Sequence, residues 1–291
     1  ASVRPFVVAS LFTREPRTIF VVVSGNDAAE RFANDVAAYI GRAHVCVYPE
    51  RMDMPWQDMR PDHKIVGART RAIGLLALGR PMVIVASARA LLRKVAPASG
   101  NVFSPLVITR EDGVVDVATG EPIAYEDVAV QLVSRGYERL GELDGPGTFT
   151  QQGDTIDVFG SGMTAPVRVE FFGDDVDGLR RVVASTGQTV GEIDRAEVWP
   201  AREFAVSAGG IKRLKEALRV ELASNRDTAD KVAMLEQGVP FGDMDRFAPY
   251  LYKELDQPIQ YASKGTLIVI AEPRSLFDDA AHRFDEINAM A

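Results

Sequence analysis

The sequence predicts an α/β fold in which a parallel sheet flanked by helices is split by a small inserted β-rich α+β domain. Three observations predict it. In the first part of the chain, continuous β-branched runs alternate with segments of helical period. Between Gly136 and Val198 the helical period disappears, and short alternating strands with Gly and Asp turns replace it. After Trp199-Pro200 helical spacing returns, and a last apolar strand follows around Ile268. Strands separated by helices imply parallel pairing with right-handed crossovers. The expected sheet therefore joins residues 18–23, 45–48, 82–86 and 266–270.

Each element has a local reason. Thr18 to Val23 is a β-branched run typical of a strand buried on both faces. Ser24-Gly25-Asn26-Asp27 supplies a turn and helix cap. Ala29, Phe32, Ala33, Val36 and Ile40 then follow helical spacing. Val45 to Tyr48 reads as a second strand, and Pro49 to His63 as an irregular stretch with an exposed Trp56. Ile65 to Leu78 is a predicted helix ending at Gly79, and Pro81 to Ala86 a third buried strand. Ser87 caps a short helix, Ala88 to Val95, which Pro97 ends. Strand segments over 106–117 and a helix over 126–135 lead into the β-rich part. Beyond it, helices are expected over 211–222, 228–237, 246–255 and 276–287. The corresponding domains are 1–120, the first part of the α/β domain; 121–203, the inserted domain; and 204–291, the second part.

Composition narrows the function. The 291 residues are 46% hydrophobic and 25% charged, with a net charge of −8, which is ordinary globular composition. So acidic a chain is a poor general phosphate binder, because non-specific nucleic-acid affinity rests on Lys and Arg. The one cysteine, Cys46, cannot make an internal disulfide, and a reduced cytosolic thiol is expected. No apolar run approaches membrane-spanning length, so a cytoplasmic protein without membrane contact is expected. The chain opens on Ala1 rather than Met, as a piece of a longer protein does.

Catalytic signatures are missing. No GxxxxGK[ST] phosphate loop occurs. Ser263-Lys264-Gly265-Thr266 reads as a strand entry and Gly209-Gly210-Ile211-Lys212 as a helix start. Asp278 to His282 falls inside a predicted helix. His44, His63 and His282 lack metal-site spacing. No catalytic residue, no metal site and no cofactor is expected in this chain.

The most informative stretch runs from Gly147 to Arg181. Val167, Val169 and Phe171 share one strand face, the expected core face, and Arg168, Glu170 and Phe172 the other. An Arg, a carboxylate and an aromatic together suit an interface centre. The alternative is an edge hairpin whose Phe172 is covered by a neighbouring loop.

At this hairpin the sequence resembles a known family. Residues 148–159, TFTQQGDTIDVF, and 166–175, PVRVEFFGDD, are similar to the signature G-E-F-x-x-R-G-x-I-x-D-x-F, then R-x-E-F-F-x-D-E. Bacterial transcription-repair coupling factors (Mfd) and the excision-repair subunit UvrB share it. Residues 4–9 (RPFVVA), 85–92 (VASARALL), 132–139 (LVSRGYER) and 199–203 (WPARE) resemble the coupling factors in particular. The resemblance implies an N-terminal UvrB-homology module. That is a degenerate, helicase-like α/β domain that does not hydrolyse ATP, split by an inserted domain that binds UvrA. ATP and magnesium, the DNA translocase and the RNA-polymerase contact are implied for other parts of the parent protein. Arg168 and Phe172 match the family positions, with Glu170 between them. The family Arg falls on Gln152, whose lost charge Arg180 or Arg181 could supply, and the family Glu falls on Thr148. Arg4 and Pro5 stand where an active relative keeps its phosphate-binding Gly and Lys. Thr186-Gly187-Gln188 is similar to a UvrB tripeptide, so a fragment of a UvrB-like, ATP-dependent damage-recognition subunit is one alternative. An unrelated α/β enzyme is the other.

Overall fold

The computed structural model describes residues 3–54 and 57–290; the readings on Ala1, Pro55 and Trp56 lie outside them. In chain order the elements begin with α1 (Val3–Arg14), β1 (Ile19–Val23), α2 (Asn26–Ile40), β2 (Val45–Tyr48), α3 (His63–Leu78), β3 (Val83–Ser87) and α4 (Ala88–Leu91). There follow β4 (Leu106–Thr109), β5 (Gly113–Asp116), β6 (Glu121–Pro122), α5 (Tyr125–Ser134), β7 (Glu138–Arg139), β8 (Thr148–Gln152), β9 (Thr155–Phe159), β10 (Val167–Phe172), β11 (Asp175–Val182), β12 (Thr189–Glu192) and β13 (Arg195–Val198). The last are α6 (Ala208–Ala217), α7 (Arg219–Ser224), α8 (Arg226–Glu236), α9 (Ala248–Leu251), β14 (Leu267–Ile270) and α10 (Pro273–Met290). Two compact units divide the chain, one from Ala1–Met52, Arg71–Ala98 and Asp256–Ala291, the other from Asp53–Thr70 and Ser99–Leu255.

The first unit is the α/β one. Its sheet has the order β14-β1-β3-β2, every pair parallel, so the four predicted strands do form one sheet. Ile19 lies opposite both Leu267 and Val83. The β-branched runs of β1 and β3 are buried throughout, as the centre of a parallel sheet requires. Val8 and Phe12 of α1 and Phe32 and Val36 of α2 pack on Val21, Val23 and Val85. Ser87 caps α4 by accepting from the Ala90 N–H at 3.1 Å. α4 stops at Leu91 rather than Val95, because the Val95 backbone instead bridges Asp256 through hydrogen bonds of 2.9 and 3.0 Å. Residues 278–282 are helical as expected: Asp279 pairs with Arg89 at 2.6 Å and His282 with Glu286 at 3.1 Å.

α1 is a helix the sequence reading did not draw. Pro5 sits in its first turn, where a missing N–H costs nothing. α1 is apolar nearly all round, so it shows no amphipathic period by which to recognise it.

The second unit holds two sheets over a shared core. The smaller has the order β13-β4-β5-β6 and is antiparallel. The larger has the order β12-β11-β10-β9-β8-β7, antiparallel except for the β7–β8 pair. Leu132 of α5 packs with Phe149, Ile156, Val169, Phe171 and Leu179. Gly67 of α3 allows a close approach: a Cβ there would lie 2.2 Å from the Ser161 carbonyl carbon. Two residues on from it, the buried Arg69 pairs with Glu203 at 2.6 Å.

The helices α6 to α9 form their own cluster around Leu214, Leu235 and Phe247. The helix read as 211–222 is two helices, broken at Leu218 between α6 and α7. The helix read as 246–255 is a 3₁₀ turn, Met244–Phe247, followed by the short α9. Pro249 explains the break, because it can occupy only a first helical turn.

Candidate protein-interaction surface

Two hairpins present the signature residues. β8 and β9 are joined by Gly153-Asp154, and β10 and β11 by Gly173-Asp174. Gly173 has φ 63°, the positive dihedral a two-residue hairpin needs at its first position. Asp175 therefore already belongs to β11 and pairs with Phe172. Both turns are tied to the start of α5. The Tyr125 N–H donates to Asp174 Oδ1 at 2.8 Å, the Tyr125 hydroxyl donates to the Gly153 carbonyl, and its ring lies 4.9 Å from that of Phe171.

Strand pairing then sorts the side chains into rows, since directly paired residues share a face. Phe149, Val158, Val167 and Arg181 form one row, and the first three are buried in the core. Thr150, Asp157, Arg168 and Arg180 form the next row, on the opposite face. Gln152, Thr155 and Glu170 form the third, on that same outward face. Of the two proposed replacement cations, Arg180 shares the outward face, while Arg181 ends the core-side row and is exposed there. Thr148 is buried and donates to the Gly145 carbonyl at 2.7 Å, so the position of the family Glu lies inside the fold here.

The outward face is held by ion pairs. Arg168 grips Asp157 with two bonds, Nε to Oδ1 and Nη2 to Oδ2, both 2.7 Å. This hydrogen bonding raises the Arg168 pKa further above its ordinary value, so its charge is permanent. Its third nitrogen, Nη1, donates to the Gly187 carbonyl at 3.3 Å and ties the 183–187 loop to the sheet. Glu170 accepts from Arg180 at 2.9 Å, and Arg180 also lies 4.0 Å from Glu192. Gln152 is exposed and donates to the Gly141 carbonyl at 3.5 Å. Gln152, Arg168 and Glu170 line one groove of about 580 Å³, with Glu142, Asp157 and the loop through Gly187. Phe172 ends the strand at 81% exposure, so no loop covers it. Its Cα stands about 13 Å from that of Arg168 at roughly 3.3 Å per residue.

Asp157 and Glu142 escaped the sequence reading. Asp157 had a signal, since it sits at the D of I-x-D on the strand next to R-x-E. Glu142 had none, because its loop reaches the groove only through tertiary packing.

Comparison with known proteins covers the same segment. Residues 115–204 match the UvrB interaction domain. Both hairpins, α5 and the groove-lining residues fall within that UvrB interaction domain match. The chain is similar to transcription-repair-coupling factors, at 21% identity over 283 residues to that of Haemophilus influenzae and 27% over 289 residues to that of Mycobacterium tuberculosis. These alignments cover 95% and 94% of this chain but only 24% and 22% of the relatives, so the chain spans about a quarter of their length. UvrABC system protein B of Thermotoga petrophila is 24% identical over 232 residues, 75% of this chain and 33% of that protein.

Residues of three other motifs behind the resemblance lie within the fold. Tyr137 is buried and donates to the Trp199 carbonyl at 2.6 Å, and burial raises its pKa. Glu203 holds Arg69, and Ser87 caps α4. These residues serve folding, whereas Phe6 and Val7 of the 4–9 motif are exposed on α1. Among the described residues, no helix is long and apolar enough to cross a membrane.

Proposed function

We propose that this chain is a non-catalytic interaction module that binds UvrA through the outward face of β8 to β11 and so recruits nucleotide excision repair to stalled RNA polymerase. One observation carries the reading: a large aromatic, Phe172, is left 81% exposed at the end of a strand whose next outward residues line a polar groove. Exposed aromatics beside an ordered Arg are typical anchors of protein interfaces. The match to the UvrB interaction domain and the similarity to coupling factors support UvrA as the partner.

In this reading the α/β unit is a degenerate helicase-like domain. At the position compared with a phosphate loop, Pro5 is buried in α1 and Arg4 pairs with Glu272. A proline offers no N–H to a phosphate. The ATP-driven translocase, its magnesium and the contacts with DNA and RNA polymerase belong to other parts of a cytoplasmic parent protein. The test is titration of the chain against cognate UvrA; absence of binding at tens of micromolar overturns the reading. The similarity to UvrABC system protein B keeps an ATP-dependent fragment as the second reading. ATP turnover by the purified chain clearly above background would favour it.

A further inference from the structure

α1 carries two apolar stripes. Pro5, Val8, Ala9 and Phe12 form the buried one, at i, i+3, i+4 and i+7. Val3, Phe6, Val7 and Leu11 repeat that kind of spacing on the other side and are exposed. Phe6 remains 53% and Tyr39 of α2 60% exposed, although their rings pack edge to face at 5.6 Å. With Ala9, Ser10, Thr13 and Arg14 they line an open pocket of about 410 Å³.

The pocket's polarity is specific. The Ser10 and Thr13 hydroxyls donate to α1's own carbonyls, at Phe6 (2.8 Å) and Ala9 (2.9 Å). They therefore seek no outside partner, and the floor behaves as apolar. Among the described residues lining the pocket, Arg14 is the one charged residue and none is a carboxylate. Apolar surface rimmed by charge marks an interaction site, and two helical stripes on one helix call for packing on both sides.

We propose that the outer face of α1, with Tyr39, docks an amphipathic helix of a partner protein that carries an apolar knob and a carboxylate. The knob packs on the Phe6–Tyr39 ring pair beside Ala9 and Thr13, and the carboxylate meets Arg14. Phe6 and Arg14 are separated by about 12 Å at 1.5 Å per helical residue, so on a roughly aligned helix the two groups stand about seven or eight residues apart. This surface lies in the α/β unit and is independent of the UvrA reading.

The test uses two synthetic amphipathic helical peptides, identical except for Glu or Lys at the position facing Arg14, titrated by fluorescence anisotropy against the whole chain. The Glu peptide should bind at least about tenfold tighter than the Lys peptide. Arg14→Glu should reverse that preference. Phe6→Ala with Tyr39→Ala should weaken both peptides at least about tenfold, while the fold is kept and the melting temperature falls only by the few degrees that loss of one half-exposed ring pair costs. The proposal is overturned if neither peptide binds, if Arg14→Glu leaves the preference as it was, or if the aromatic substitutions leave affinity unchanged.

Discussion

Asp157 and Arg168 stand directly opposite one another on β9 and β10 and share a two-point ion pair at 2.7 Å. Arg168 is therefore not a free cation waiting for a partner's carboxylate. It is an ordered post that also holds the 183–187 loop through Gly187. A guanidinium fixed in advance loses less entropy on binding than a mobile one.

Arg168→Ala and Asp157→Ala should each destabilise the β-rich unit by about 1–2 kcal/mol, since each removes charge-assisted bonds at a partly buried site. If the pair acts as a unit, both should also weaken UvrA binding at least about tenfold. Urea melts and titration of both variants check this. Full affinity in Asp157→Ala would show that Arg168 works without its partner.

Phe172 and Phe171 are adjacent but face opposite ways. Phe171 is buried against Tyr125, so Phe171→Ala should cost about 3–5 kcal/mol of stability. Phe172→Ala should leave the melting temperature in place and weaken UvrA binding at least about tenfold. Melting of the domain by Phe172→Ala would contradict the exposed placement.

Gly67→Ala tests the close approach of α3 to Ser161. A Cβ 2.2 Å from the backbone carbon cannot be absorbed by a rotamer change. Overpacking of this kind costs about 1–3 kcal/mol or more, so the second unit should unfold at lower urea while α/β-unit probes change little. An unchanged midpoint would refute the tight packing.

Cys46 keeps some surface exposure on β2, yet the apolar surroundings of its thiol push it up to about 11 from its ordinary value of 9.0, with Arg71 opposing. The folded state then holds this proton more tightly than the unfolded chain. Stability from this group is full below about pH 9 and declines as pH rises from about 9 to 11, at up to about 1.4 kcal/mol per pH unit. Denaturant midpoints of the native protein and Cys46→Ala, compared across that range, isolate the slope. Parallel curves would show that the thiol is not perturbed.

Local pattern made much of this molecule legible. The β-branched runs of β1 and β3, the spacing of α2, the Ser87 cap and the alternation of Val167, Val169 and Phe171 are each written within a few consecutive residues. Such features depend on backbone geometry and side-chain period, which the sequence by itself determines. The three-dimensional structure alone decided who meets whom. It set Leu267 beside Ile19, drew Val95 out of a helix to bridge Asp256, and paired Arg168 with Asp157 across the outward face. It also made a helix of α1, whose near-uniform apolarity carries no readable period. These outcomes follow from long-range competition for buried area and hydrogen-bond partners. No window of neighbouring residues contains both competitors, so only the folded chain records which one won.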